Sequence, residues 1–147
     1  MTAIWTTSSA HNLNDIKVLQ NRIVKTIKCL PVLQATKTIY SPDILPIDAL
    51  GNFELILFIH KIRLGILKCS SVFPTIRDMH SYNTRQNTEN NFYVDTVSTS
   101  RAQSNPFYKG LIQFNLLPEP LKIEFNIMKF KRNLKEHIFN IWLNTIK

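Results

Sequence analysis

Glycine is scarce in this chain, 3 residues of 147, while proline is present 7 times. That composition excludes a Gly-rich phosphate-cradling loop and favours helices separated by fixed breaks over flexible hinges. Cysteine is rarer still. Cys29 and Cys69 stand far apart and form no Cys-x-x-Cys, which argues against a zinc knuckle or ribbon. Reduced, buried thiols of the cytosol or nucleus are expected instead. There are 10 acidic residues and no two are adjacent. Metal-assisted phosphoryl transfer gathers two or three carboxylates around Mg²⁺, and no paired acids offer them here. No serine sits in a nucleophile-elbow setting and neither cysteine has an activating context. No catalytic residue, metal ligand, cofactor or small-molecule substrate is therefore expected, and no activity in isolation. His11, His60 and His137 each lack a second ligand at metal-binding spacing, so core or rim positions are expected for them. Long apolar runs are missing too. The stretch Leu50 to Leu67 is interrupted by Asn52, Glu54, His60, Lys61 and Arg63, which predicts no membrane span. The opening Met-Thr-Ala-Ile-Trp-Thr-Thr-Ser-Ser has neither a basic nor an apolar signal region, so a nuclear or cytoplasmic chain, not a secreted one, is expected.

What is abundant is positive charge and apolar periodicity. The net charge is +8, and 44% of residues are hydrophobic, 10% aromatic. The charge favours an anionic partner, RNA or DNA or an anionic membrane surface, and the apolar content suffices for one domain with a core; RNA or DNA is the partner expected. Ile16, Leu19, Ile23, Ile27 and Leu30 make one helical stripe, with Asn12 or Asn14 as cap, Lys17, Arg22, Lys25 and Lys28 opposite, and Pro31 as the stop. Ala35 to Tyr40 predicts one or two helical turns. Ser41-Pro42 and Leu45-Pro46 then frame a tight connection, with Pro46 at a first helical position. A helix from about Ile47 to Lys68, apolar on most sides, reads as the core helix. Residues 70–104 turn polar. Tyr82 and Thr84 alternate with Ser81 and Asn83, and Phe92 and Val94 follow, so a short ribbon turning at Asn87 to Asn91 is expected. In the last third, Phe107, Leu111 and Phe114 share one helix face. Pro118 and Pro120 stop that helix, and Asn126 caps a long one carrying Ile127, Phe130, Leu134, Ile138 and Ile141. Its final turns add Phe139, Trp142, Leu143 and Ile146, an apolar tip that is either buried or sticky.

Some of these stretches also form recognisable phrases. Gly110, then Phe114-Asn115-Leu116-Leu117-Pro118, then Phe130-Lys131-Arg132-Asn133-Leu134-Lys135 resembles the C-terminal end of LINE-type (non-LTR) retrotransposon reverse transcriptases of the jockey-like group. The family usually has Trp where this chain has Phe114. Trp5 followed by Leu19-Gln20-Asn21-Arg22-Ile23 resembles the segment after the family's polymerase domain, with Thr6 in place of the usual Gly. Ile44-Leu45-Pro46-Ile47 resembles a step between the family's helices. His80-Ser81-Tyr82-Asn83-Thr84-Arg85 resembles its His-x-Tyr-x-Thr-Arg phrase, and the order along the chain agrees.

The resemblance implies a truncated, retrotransposon-derived frame: the non-catalytic region that follows the polymerase domain, where it would help grip RNA or an RNA–DNA hybrid. It also implies an upstream polymerase domain as partner. The expected fold is mainly α: a small helical bundle of four or five helices around Phe53, Leu57 and Phe130, with a short extended or β-ribbon element in residues 80–97. The expected organisation is a polar segment over 1–12, a helical block over 13–69, a polar loop over 70–104 and a C-terminal helical pair over 105–147. Candidate nucleic-acid contacts are Arg22, Lys25, Lys28, His80, Tyr82, Arg85, Lys129, Lys131, Arg132 and Lys135. The plainer reading of the cations is a solvated face, and that of His80, Tyr82 and Arg85 is loop-fastening hydrogen bonds. Two other outcomes stay open: a helical interaction module docking through the apolar tip, and a relic without function.

Overall fold

Helix dominates the backbone, as the periodicity predicts. The computed structural model describes residues 10–69, 73–79 and 90–145, except the side chains of 10–12. In chain order the helices are α1 (Ala10–Ile27), α2 (Thr36–Ile39), α3 (Ile47–Arg63), α4 (Ile76–Met79), α5 (Ser100–Gln103), α6 (Pro106–Asn115), α7 (Glu119–Lys122) and α8 (Ile127–Thr145). Among the described residues no helix is long and apolar enough to cross a membrane. The chain divides into two compact units. One runs to Glu54 and resumes at Lys131; the other is Leu55–Phe130.

In the first unit, α1 is turned by roughly a quarter revolution from the expected orientation, taking 100° per residue. Leu19, Ile23 and Ile27 are exposed, at 55%, 57% and 72%, while Val24 is buried. The reason is polar. The Gln20 side-chain amide donates to the Leu45 carbonyl at 2.9 Å and accepts from the Ile47 N–H at 2.8 Å. Both groups flank Pro46, which has no N–H, and both need partners. Asn21 accepts from the Tyr40 hydroxyl at 2.7 Å. The Tyr40 ring meets Trp142 edge-on at 5.6 Å, and Trp142 stacks on Phe139. Burial, then the Asp48 charge, raises the Tyr40 pKa. Asn12 and Asn14 lie inside α1, not at its cap. The 41–44 connection closes as a four-residue turn, Ile44 N–H to the Ser41 carbonyl at 3.0 Å.

Pro31 is not what ends α1. Leu30 N–H reaches back to the Lys25 carbonyl and Cys29 N–H to that of Thr26, a Schellman ending with Cys29 left-handed at φ 51°. Cys29 is thereby held at the surface, exposed, where burial is expected from its sequence; Cys69 is half-buried. A left-handed cysteine carries strain that glycine does not. Cys29→Gly is expected to stabilise the first unit by about 0.5–1 kcal/mol in urea unfolding, since no side-chain contact is lost. A destabilised variant would mean the thiol matters. Gly65 does the same at the end of α3, at φ 70°, with Ile66 N–H on the Lys61 carbonyl. That ending closes the helix at Arg63, short of the expected Lys68.

In the second unit, Ile59 and Phe114 are fully buried, with Leu111, Leu117 and Leu121 nearly so. Gly110 is where α6 comes close to α3: a Cβ there would sit 2.8 Å from Ile59 Cγ1. Asn105 caps α6 through the Phe107 N–H, with Pro106 in the first turn. The helix ends at Asn115, before the prolines, and Pro118 and Pro120 open the turn α7 instead of merely stopping α6. Asn126 caps α8, its Oδ1 accepting from Met128 and Lys129 N–H at 3.0 and 3.2 Å. The buried row of α8 is Phe130, Leu134, Ile138 and Trp142; Ile141 is exposed. An i, i+4 continuation replaces the expected i, i+3 step; of the expected apolar tip, Trp142 meets Tyr40 and Phe139, and Ile146 lies outside the described residues. Of the expected ribbon, residues 80–89 lie outside the described region. Phe92 pairs with Thr75, through an isolated bridge. Ile76 N–H bonds the Asn91 carbonyl and Tyr93 N–H the Pro74 carbonyl.

Candidate nucleic-acid interface

The ten expected contact residues fall into three groups. His80, Tyr82 and Arg85 lie outside the described residues. Lys25, Lys28 and Lys129 are engaged within the chain. Lys25 Nζ donates to the Val32 carbonyl, Lys28 Nζ to the Ile39 carbonyl, and Lys129 pairs with Glu124 at 2.9 Å. Lys17 likewise pairs with Asp48, in the first turn of α3. Lysines set opposite an apolar stripe are thus partly ties to the loop that follows α1, because that loop leaves carbonyls without helical partners.

Arg22, Lys131, Arg132 and Lys135 form the third group. Among the described residues none of their side chains has a hydrogen-bond or ion-pair partner. Lys131 and Lys135 are one helical turn apart on α8, and Arg132 lies three residues before Lys135, so the three share one flank. Arg132 is exposed; Lys131 and Lys135 are half-buried. Such a flank can neutralise phosphates without any base readout.

A second polar cluster, not expected from the sequence, sits wholly in the Leu55–Phe130 unit. Lys122 is 4% exposed. Its Nζ donates to Asn91 Oδ1 at 2.7 Å and to the Asn115 carbonyl at 2.9 Å, with Glu119 at 3.8 Å. Arg63 donates to the Lys122 carbonyl and, at 2.6 Å, to Asn90 Oδ1; Asn90 donates to Glu119 Oε2 at 3.1 Å. The Arg63 guanidinium also lies over the Phe114 ring, 5.8 Å from its centroid. Burial lowers the Lys122 pKa, the Glu119 charge opposes that shift, and Arg63 adds to it. Burial lowers the Arg63 pKa too, against Glu119. Asn115 completes the cluster: its Oδ1 accepts from the Phe92 N–H at 2.9 Å and its Nδ2 donates to the Phe92 carbonyl at 2.8 Å. Every cation here is surrounded by acceptors of the chain itself, so the cluster is a fastening, not a ligand site. The i, i+3 pair Glu119–Lys122 was the one sequence signal that could have pointed to it.

His60 is fully buried, as a core histidine, stacked on Phe130 at 3.7 Å and beside Phe114 at 6.1 Å. Neither ring nitrogen finds a partner at good hydrogen-bonding geometry. Burial, then the Arg63 charge, lowers its pKa from 6.5 to about 4, with Glu124 opposing. His137 is half-buried and its pKa is lowered by burial. Comparison with protein-family profiles, curated proteins and solved structures finds no match.

Proposed function

We propose that this chain is a non-catalytic nucleic-acid-binding element, akin to the region after the polymerase domain in non-LTR retrotransposon reverse transcriptases. It holds RNA or an RNA–DNA hybrid, in the nucleus or cytoplasm, by its phosphates. The observation that carries this reading is the unpartnered flank Lys131, Arg132 and Lys135 on α8, in a chain of net charge +8. Two amides from the family-like phrases add support. Gln20 ties down the Leu45-Pro46-Ile47 step, and Asn115 ties down Phe92. Gln20 and Asn115 both satisfy backbone groups beside a proline or an isolated bridge, a physical role for these two phrase residues.

Salt tests the reading. Binding of labelled single-stranded RNA, followed by anisotropy, is expected to weaken steeply with salt. Replacing Lys131, Arg132 and Lys135 by Gln is expected to lower the slope of log K against log salt by about 2, at about 0.7 per phosphate contact. The same change at Lys25 and Lys28 should leave the slope nearly unaltered, because those lysines are engaged by carbonyls. An unchanged slope in the triple variant would sink the α8 assignment, and Mg²⁺-dependent nucleotide incorporation would sink the non-catalytic one. The exposed row Leu19, Ile23 and Ile27 favours a second reading, a protein-docking helix face, whose binding would be nearly independent of salt.

A further inference from the structure

The Leu55–Phe130 unit contains a cavity of about 350 Å³ that phosphate binding does not use. Four aromatic rings line it: Phe73, Tyr93, Phe107 and Tyr108. Among the described residues Asp95 is its only charged lining group, and no lysine or arginine lines it. In a chain of net charge +8 that is a local inversion of sign. The aromatic wall is braced from behind. Phe107 packs between Phe58 and Phe73, each 5.5 Å from its ring centroid, and Phe73 meets Phe92 edge-on at 6.5 Å. The start of the helix bearing Phe107 and Tyr108 is fixed by the Asn105 cap. Among the described residues the side chains of Tyr108 and Asp95 have no hydrogen-bond, ion-pair or ring partner, so both are available to a ligand.

A carboxylate repels phosphate, and the faces of aromatic rings carry negative charge density. Both attract a cation with an apolar skin, which loses little hydration on entering. The volume is that of a small-ligand site. We propose that this cavity binds an alkylated ammonium group, with the rings around its methyls and Asp95 at its charge. The group belongs either to a methylated lysine side chain or to a free quaternary amine. The proposal does not rest on nucleic-acid binding.

The test titrates the full chain by NMR with choline and with 3,3-dimethylbutan-1-ol, which has the same shape without the charge. Choline is expected to bind saturably and to shift the Tyr93 and Tyr108 ring signals, with the alcohol roughly tenfold weaker. Asp95 is exposed, so Asp95→Asn should fold normally and weaken choline by roughly threefold or more. Tyr108→Leu, with its thermal transition checked, should weaken choline several-fold and the alcohol little. A trimethyl-lysine peptide that binds more tightly than choline assigns the site to a protein side chain; equal or weaker binding assigns it to a free amine. Equal binding of choline and the alcohol would reduce the site to an apolar cavity and overturn the proposal. So would no saturable binding of choline, or choline affinity unmoved by both variants.

Discussion

Asn115→Ala is expected to cost about 2–4 kcal/mol of stability, because it strips two backbone groups of their only fitted partner. The Asn115 amide spans the Phe92 N–H and carbonyl at 2.9 and 2.8 Å. It thus does for Phe92 what a neighbouring strand would do, at a place where the pairing with Thr75 is a single bridge. The Phe92 side chain is 7% exposed and packs on Phe114 at 5.3 Å, so water does not readily replace the amide. Each buried polar group left unpaired costs about 1–3 kcal/mol. Asn115→Asp is expected to destabilise as well. It can still accept from the N–H, but it sets an anion against the Phe92 carbonyl. Lys122→Met should cost less than Asn115→Ala. It leaves two acceptors unpaired but also removes the penalty of holding an ammonium group in the interior. Urea midpoints give the ranking, and exchange of the Phe92 amide proton gives the mechanism. An Asn115→Ala protein with unchanged midpoint and unchanged Phe92 protection would show the amide to be dispensable.

The parts of the fold legible in the sequence are those fixed by groups close together along the chain. Asn126 stands before an apolar row and caps α8; Phe130, Leu134 and Ile138 fill that row. Phe53, Leu57 and Phe130 are buried as expected, and α3 is the most apolar of the long helices. The orientation of α1 was not legible. Periodicity finds the apolar stripe Leu19, Ile23 and Ile27, but it is blind to Gln20 meeting the backbone beside Pro46. The Gln20 side chain fixes which face of α1 turns toward the Leu45-Pro46-Ile47 step, and Leu19, Ile23 and Ile27 are left exposed. The ends of α1 and α3 were hidden differently. Apolar residues run past both, and only the left-handed positions of Cys29 and Gly65 mark the true stops. For the candidate interface, charge in the sequence located the cations but not their partners. Lys25 and Lys28 turn back onto loop carbonyls that lie close only once the loop has folded. The aromatic cavity was illegible because its wall draws on Phe73, Tyr93 and Phe107, which no local pattern connects.

His60 makes the Leu55–Phe130 unit sensitive to acid, and the size of the effect follows from its burial. The folded protein holds the imidazole neutral down to about pH 4, while an unfolded histidine takes its proton near 6.5. Between those values the unfolded chain binds more protons than the folded one, so stability falls as pH falls and levels off below about 4. The gap corresponds to about 3 kcal/mol. The groups facing the ring set its sign. Arg63 disfavours a second cation, and Glu124 softens that without donating or accepting at good geometry. Glu124 is itself held below the usual carboxylate range, by Lys129 first and then by the Asn126 N–H, so it too loses stabilising contacts in acid. That loss is common to any variant that keeps both partners, and it cancels in a comparison. His60→Leu removes no hydrogen bond of good geometry. It does forfeit the stack on Phe130, so at pH 7 its stability should lie within about 1.5 kcal/mol of the parent. Measured by urea unfolding from pH 7 to pH 4, the parent should lose about 3 kcal/mol more than His60→Leu. Parallel curves for the two proteins would mean that the buried ring finds a proton acceptor on protonation, and that its isolation between Phe114 and Phe130 is not what governs its charge.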